Sequence, residues 1–233
     1  INESTIRILN RHGVEVVVPK KIRCCGSLNH HLGKEDDAHQ DFINNINTWY
    51  EEHLKGNLDA ILSNTSGCGT TMKDYGFIFK DDEKMKKKAK VVSDLTKDVS
   101  EYLNENLKLD FKSKEKKYKI AYHSACSMQH GQKVHNQPIE LLTKTSNEIM
   151  EIPEGHICCG SAGTYNILQT EIAKELLSKK IKNIESLKPD FISTGNIGCI
   201  TQISNGTETP ILHTIEILDW YTGGPKPKIL QKN

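Results

Sequence analysis

Cys158-Cys159-Gly160-Ser161-Ala162-Gly163-Thr164-Tyr165-Asn166 decides the fold, because its opening already stands once earlier in the chain. That earlier copy reads Cys24-Cys25-Gly26-Ser27. Each triplet is followed by a helical pattern, a short apolar run and a Gly-Cys pair, Gly67-Cys68 in the first copy and Gly198-Cys199 in the second. Cys68 follows Cys24 by 44 residues and Cys199 follows Cys158 by 41. Agreement in residue type, order and spacing marks an internal duplication. The second copy carries one more cysteine, Cys126, whose counterpart would precede Ile1. On this reading the chain is N-terminally truncated inside its first repeat.

Working outward, short apolar runs alternate with helical periodicities, the pattern of an α/β fold with parallel sheets. A helix is expected over residues 3–11, and Val14-Glu15-Val16-Val17-Val18 reads as a strand. Ala38, Phe42, Ile46 and Trp49 recur at helical spacing, with Gly56 as the stop. Ala60-Ile61-Leu62 reads as a short buried strand, and Val92, Leu95, Val99 and Leu103 as one helix. In the second half, Lys119–Tyr122, Ile149–Ile152 and Phe191-Ile192 read as strands. Gln137-Pro138 opens a helix, and Ile172, Leu176, Ile181 and Ile184 mark the face of another. Further apolar elements stand near Ile211-Leu212 and Ile215–Trp220. The expected fold is two duplicated, Rossmann-like halves with the cysteines at the carboxyl ends of the strands. The expected divisions are residues 1–110 (first repeat, N-terminally incomplete), 111–119 (a lysine-rich linker), 120–222 (second repeat) and 223–233 (a loose Gly/Pro/Lys tail).

Composition narrows the function. Lys and Arg number 31 against 30 Asp and Glu, a net charge of +1, so no global field attracts nucleic acid or an anionic membrane. The 36% hydrophobic and 26% charged residues suit a globular chain. No apolar run approaches the roughly 18 residues of a membrane span, and no signal peptide pattern opens the chain. A cytoplasmic location is therefore expected.

The seven cysteines are Cys24, Cys25, Cys68, Cys126, Cys158, Cys159 and Cys199. An odd number, with two neighbouring pairs, argues against a closed disulfide framework. In a reducing compartment clustered cysteines point to metal or redox chemistry. In open parallel sheets ligands bind beyond the carboxyl ends of the strands, so Cys126, Cys158, Cys159 and Cys199 are expected to converge there, and Cys24, Cys25 and Cys68 likewise in the first half. Thiolates are soft ligands that take iron–sulfur clusters, zinc or copper(I). Four cysteines match a four-thiolate cubane cluster, and no Cys-x2-Cys zinc knuckle is present. Zinc holding an interaction scaffold is the alternative. A cysteine nucleophile flanked by His123 and His130 would not explain a repeated set. His123, His130 and His135 near Cys126, and His30 and His31 after the first triplet, read as polar loop residues, with ligation or a hydrogen bond to a cluster as the other reading. The sequons at Asn64 and Asn205 and the glycines of Gly160–Gly163 carry no complete motif.

These strings resemble the cysteine-rich (CCG) domain family of heterodisulfide reductase subunits, lactate-utilisation proteins and the iron–sulfur subunits of glycolate oxidases. The resemblance covers roughly residues 1 to 222. Asn64-Thr65-Ser66-Gly67-Cys68-Gly69, Lys73-Asp74-Tyr75-Gly76, Gln129-His130-Gly131-Gln132-Lys133 and Gly195-Asn196-Ile197-Gly198-Cys199, together with the opening string, point to the glycolate oxidase branch. Thr65 and Asn196 stand where the heterodisulfide reductase branch has a further cysteine, so a four-cysteine 4Fe-4S site in the second repeat is the expectation. The resemblance implies electron transfer. An FAD-bearing flavoprotein partner would oxidise a 2-hydroxy acid such as glycolate, and this subunit would pass the electrons to a membrane acceptor such as quinone, peripherally on the inner membrane face. It implies no catalytic acid–base residue in this chain. The family's usual ferredoxin-like domain, with its Cys-x2-Cys-x2-Cys-x3-Cys-Pro motifs, is not in this sequence. A lactate-oxidising system or a thiol–disulfide enzyme of the heterodisulfide type are the neighbouring alternatives.

Overall fold

The computed structural model describes residues 1–56, 58–112, 114 and 116–231. The chain folds as two compact units: Ile1–Val16 with everything from Val99 onward, and Val17–Asp98 between them. The units are therefore cut differently from the sequence halves 1–110 and 120–222. The reason lies in α1 (Asn2–Arg11). Its Arg7 and Arg11 both reach the buried carboxylate of Asp219, at 2.6 and 3.0 Å, and so tie the first residues to the end of the second repeat.

The inner unit holds α2 (Ser27–His31), α3 (Glu35–Leu54), β1 (Ile61–Ser63), α4 (Ser66–Ile78), α5 (Lys86–Leu95) and β2 (Thr96–Asp98). Glu35, Asp36 and Asp37 occupy the first turn of α3, where the helix dipole favours acids. Gly56, at φ +82°, stops the helix as expected. Phe42 of α3 stacks on Tyr75 of α4, ring centroids 4.9 Å apart, in a core with Ala38, Ile46, Met72 and Phe79. Thr96–Asp98 corrects the expectation of one helix through Val92–Leu103. These residues pair in parallel with Ile61–Ser63, which splits that helix in two.

The outer unit continues with α6 (Val99–Asn106), β3 (Lys119–Tyr122), a π-helical turn (Ser127–Gln132), α7 (Asn136–Thr143) and β4 (Glu148–Glu151). Then come α8 (Tyr165–Leu168), α9 (Thr170–Ser186), β5 (Phe191–Thr194), α10 (Ile197–Ser204), β6 (Ile211–His213) and α11 (Thr214–Tyr221). Its sheet runs β4-β3-β5-β6 with every pairing parallel. β5 and β6 are buried throughout, as strands covered on both faces must be, while the edge strand β4 is not. β1 leading into α4 matches β5 leading into α10 in the duplication.

Val14–Val18 is a second correction: it forms no strand, and Val18 is 70% exposed. Its counterpart in the second repeat, β4, is held by β3. A strand's hydrogen bonds must come from a neighbour, and here none is present among the described residues. On α9 the buried face is Ala173, Lys180, Ile181 and Ile184, while Ile172 is 50% exposed, so the inward stripe is rotated from the expected one. The expected linker 111–119 ends in β3, and its Ser113 and Glu115 lie outside the described residues, as do Lys232 and Asn233 of the tail. The rest of the tail is held: the Gly224 amide donates to Asp219 O at 2.7 Å, and Leu230 is buried at the end of a short 3-10 turn. Among the described residues no helix is long and apolar enough to cross a membrane.

Candidate metal centre

In the outer unit three strands deliver their following loops to one sheet edge. β3 ends at Tyr122, paired with Glu151 of β4 and Ser193 of β5. The chain then continues from β3 through His123 to Cys126, from β4 to Cys158 and Cys159, and from β5 to Cys199. The His123 amide donates to Ser193 O at 2.8 Å and so extends the β3–β5 pairing by one residue.

Each cysteine is fixed locally. Cys126 caps the π-helical turn, whose Gln129 side chain donates to the carbonyls of Ser124 (3.0 Å) and Gly155 (3.2 Å). One amide thereby ties the Cys126 loop to the loop ahead of Cys158. Cys199 lies in the first turn of α10, capped by Asn196, which accepts from the Gly198 amide at 2.8 Å. Gly160 takes φ +92°, and a Cβ there would stand 2.5 Å from the Ala173 carbonyl of α9. Only glycine lets the triplet pack that close to the helix. The Gly160 amide donates to Cys158 Sγ at 3.3 Å.

The four thiols form a connected chain, Cys126 to Cys158 to Cys159 to Cys199, and none is in a disulfide. Cys159 and Cys199 are buried, Cys126 and Cys158 half-buried. The shared protons split the acidities. Cys158 is pushed down because the thiols of Cys126 and then Cys159 hydrogen-bond to it, and Cys126 is pushed up by giving that bond. Cys199 is lowered to about 5, first by the Cys159 thiol and then by the imidazole of His123. Cys159, which faces both, is pushed up. Such a set is ready to hand over several thiolates once a cation replaces the protons.

His123 is the residue whose reading changes most. It is buried, neither ring nitrogen has a hydrogen-bond partner, and its ligand atom lies within 4.8 Å of those of Cys159 and Cys199. A buried imidazole without a partner costs stability, and a metal centre at the thiols would supply one. Four free thiols plus this orphaned ring therefore fit a resident metal group. His123, Cys159 and Cys199 together also match a zinc donor set.

Lys180 escaped the sequence reading. It is 1% exposed on the inward face of α9, and its Nζ donates to Glu154 O at 3.3 Å, behind the loop that carries Cys158. Burial pushes its pKa down, while the charges of Cys159, Cys158, Cys199 and Glu154 hold it up. The available signal was its place beside Ile181 on an inward stripe.

The inner unit gathers its three cysteines in the same way. Cys25 Sγ donates to Cys68 Sγ at 2.9 Å, with Cys24 exposed beside them. Cys25 is pushed up and Cys68 down by that bond. Tyr75 Oη donates to Cys25 O at 2.8 Å, and Thr71 Oγ1 to Ser27 Oγ at 2.9 Å, which anchors the triplet to α4. His30 meets Phe42 edge-on and His31 at a tilt, and among the described residues neither joins the thiols in a metal-sized group. His130 and His135 belong to no such group among the described residues.

Parallel strands whose following loops bring thiols together define a class, and the chain belongs to it: it is a member of the cysteine-rich domain family, CCG, which matches residues 1–73 and 120–204. It is 35% identical to the glycolate oxidase iron-sulfur subunit of Escherichia coli (strain K12), over 94% of this chain and 53% of that protein. It is 30% identical to the probable glycolate oxidase iron-sulfur subunit of Bacillus subtilis (strain 168), over 89% of this chain and 46% of that one. It is 26% identical to lactate utilization protein A of Geobacillus sp. (strain WCH70), over 93% and 91%. The chain spans about half the length of the two glycolate oxidase relatives.

Proposed function

We propose that this chain is the iron–sulfur electron-transfer subunit of a glycolate oxidase-like 2-hydroxy-acid dehydrogenase complex. Cys126, Cys158, Cys159 and Cys199 would hold one 4Fe-4S cluster, and Cys24, Cys25 and Cys68 would line a second site. The observation that carries the reading is the convergence of four unbridged thiols from three loops on one sheet edge, with an unpartnered imidazole beside them. The relatives named iron-sulfur subunits of glycolate oxidase support it.

When bound, the cluster supplies one-electron chemistry without a proton or group transfer in this chain. The protein's part is to hold and shield it. The Gly160 amide donates to the Cys158 sulfur, and such bonds to ligand sulfurs tune a cluster's potential. Burial of Cys159 and Cys199 keeps water from the inner side, while half-buried Cys126 and Cys158 leave the outer side open to a partner. His123 can donate a ring N–H toward the same site. Hydride removal from the substrate belongs to an FAD-bearing flavoprotein partner, and the onward acceptor is a membrane quinone, reached from the cytoplasmic face.

The test is iron, sulfide and zinc per chain in anaerobically purified protein, beside a Cys158→Ser/Cys159→Ser variant. About four irons and four sulfides, lost in the variant, support the reading. Zinc without sulfide would replace it with a zinc-held scaffold. A lactate-oxidising complex is the second reading, favoured by alignment over 91% of lactate utilization protein A. Which flavoprotein copurifies, and whether glycolate or lactate then bleaches the cluster, separates the two.

A further inference from the structure

The helix behind each Cys-Cys-Gly loop carries one buried polar residue at the same step, and the two copies differ there in charge. A Cβ on the triplet glycine meets an alanine carbonyl of that helix in both units: Ala38 O at 3.1 Å from Gly26, and Ala173 O at 2.5 Å from Gly160. Seven residues beyond these alanines, on the same helix face, stand Asn45 and Lys180, 0% and 1% exposed. Both hold the backbone ahead of the cysteines. Asn45 Nδ2 donates to Cys24 O at 2.8 Å and to Arg23 O at 3.3 Å. Lys180 Nζ donates to Glu154 O at 3.3 Å.

Holding the loop does not require a charge, since the amide of Asn45 does it in the inner unit. Burying an ammonium is expensive unless negative charge faces it. The negative charges that act on Lys180 are those of Cys159, Cys158, Cys199 and Glu154. Of these, Glu154 already pairs with Lys179 at 2.7 Å, while Ile181, next to Lys180, packs in one core with Cys159 and Cys199. A neutral acceptor at 3.3 Å does not compensate an ammonium; the thiolates of an occupied centre do.

We propose that Lys180 is a positioning residue of the second-repeat centre, whose buried positive charge raises the reduction potential of the group held by Cys126, Cys158, Cys159 and Cys199. The inference rests on the iron–sulfur reading given above. Reduction adds one negative charge to a group already surrounded by thiolates. A fixed cation nearby, little screened because it is buried, stabilises the reduced form more than the oxidised one. Net charge around the sulfurs is among the factors that set such potentials.

The experiment compares the full chain with Lys180→Asn, Lys180→Met and Lys180→Arg, each reconstituted anaerobically with iron and sulfide. Iron and sulfide per chain are measured first, then the midpoint by optical and paramagnetic-resonance titration. Lys180→Arg keeps the wild-type midpoint. The neutral variants, at wild-type iron content, lose at least tenfold in the reduced-to-oxidised ratio at the wild-type midpoint, about 59 mV for a one-electron couple. Neutral variants that load iron normally and titrate within twofold of wild type overturn the proposal and leave the cluster reading intact. Wild-type protein that takes up no iron and sulfide refutes both. Loss of the cluster from both neutral variants but not from Lys180→Arg makes the charge a requirement for assembly and overturns its role in setting the potential. Loss from all three makes Lys180 a packing residue and refutes it.

Discussion

Replacing Gly160 with alanine loads two costs onto one Cβ. The residue sits at φ +92°, where an L side chain meets its own backbone, a penalty of roughly 1–2 kcal/mol. The new Cβ would also stand 2.5 Å from Ala173 O and 3.2 Å from Gln202 Nε2. The glutamine can swing aside; a helix carbonyl cannot, and overpacking of that kind costs about 1–3 kcal/mol. Together they come to about 2–5 kcal/mol. Gly13→Ala is the control. It lies in the same compact unit at φ +81° with nothing within 4 Å of its Cβ, so only the first cost, roughly 1–2 kcal/mol, applies. The assay is urea denaturation of the metal-free chain, because a bound cluster would add its own linkage to the native state. Gly160→Ala should lower the stability of that unit by about twice as much as Gly13→Ala or more. Equal losses would show that the triplet yields without resistance, and that its packing on α9 does not set where Cys158 and Cys159 stand.

Asp219→Ala removes the buried partner of two partly exposed arginines and should cost about 2–4 kcal/mol, read by the same denaturation; a loss under about 0.5 kcal/mol would show the arginines hydrate freely. Tyr75→Phe deletes the hydrogen bond to Cys25 O and should cost about 0.5–1.5 kcal/mol in the inner unit, with metal uptake by the outer unit unchanged. His123→Phe removes the buried imidazole beside Cys199 and should raise the pH at which that thiol is alkylated in the metal-free chain, while altering the absorption spectrum of the reconstituted one; an unchanged alkylation profile would mean the ring does not act on the thiol. In the metal-free chain the thiols of the outer unit should be alkylated in order of exposure, with half-buried Cys126 and Cys158 modified before buried Cys159 and Cys199 in mass-mapped peptides.

The duplication made the site legible before the fold. Type and spacing were enough to group Cys126, Cys158, Cys159 and Cys199, because parallel strands can only deliver their loops to one edge. The long helices α3 and α9 were equally plain, since many turns of periodicity outweigh local exceptions. What stayed hidden depended on partners distant in sequence. Val14–Val18 has a strand's composition but, among the described residues, no neighbour to bond. Thr96–Asp98 has a helix's surroundings but a neighbour in Ile61–Ser63 that claims it. Lys180 looked like one more surface lysine in a lysine-rich helix, and only the rotation of the α9 stripe turns it inward. His123 read as a polar loop residue because nothing local reveals that the loop after β3 is buried.

The clasp of α1 on Asp219 has a consequence for how the polypeptide comes off the ribosome. Arg7 and Asp219 stand 212 positions apart, and in the sequence the whole of Val17–Asp98 lies between the two segments of the outer unit. Helix α1 must therefore wait, with its apolar face uncovered, until α11 has been synthesised. Closing so long a loop carries an entropy cost that grows with the logarithm of its length. An inner unit already folded while synthesis continues replaces a long slack segment by a compact body, and shortens the loop that the clasp must close. Destabilising the inner unit should then slow assembly of the outer one even where the finished outer unit is untouched. Its folding rate, rather than its final stability, would carry the defect.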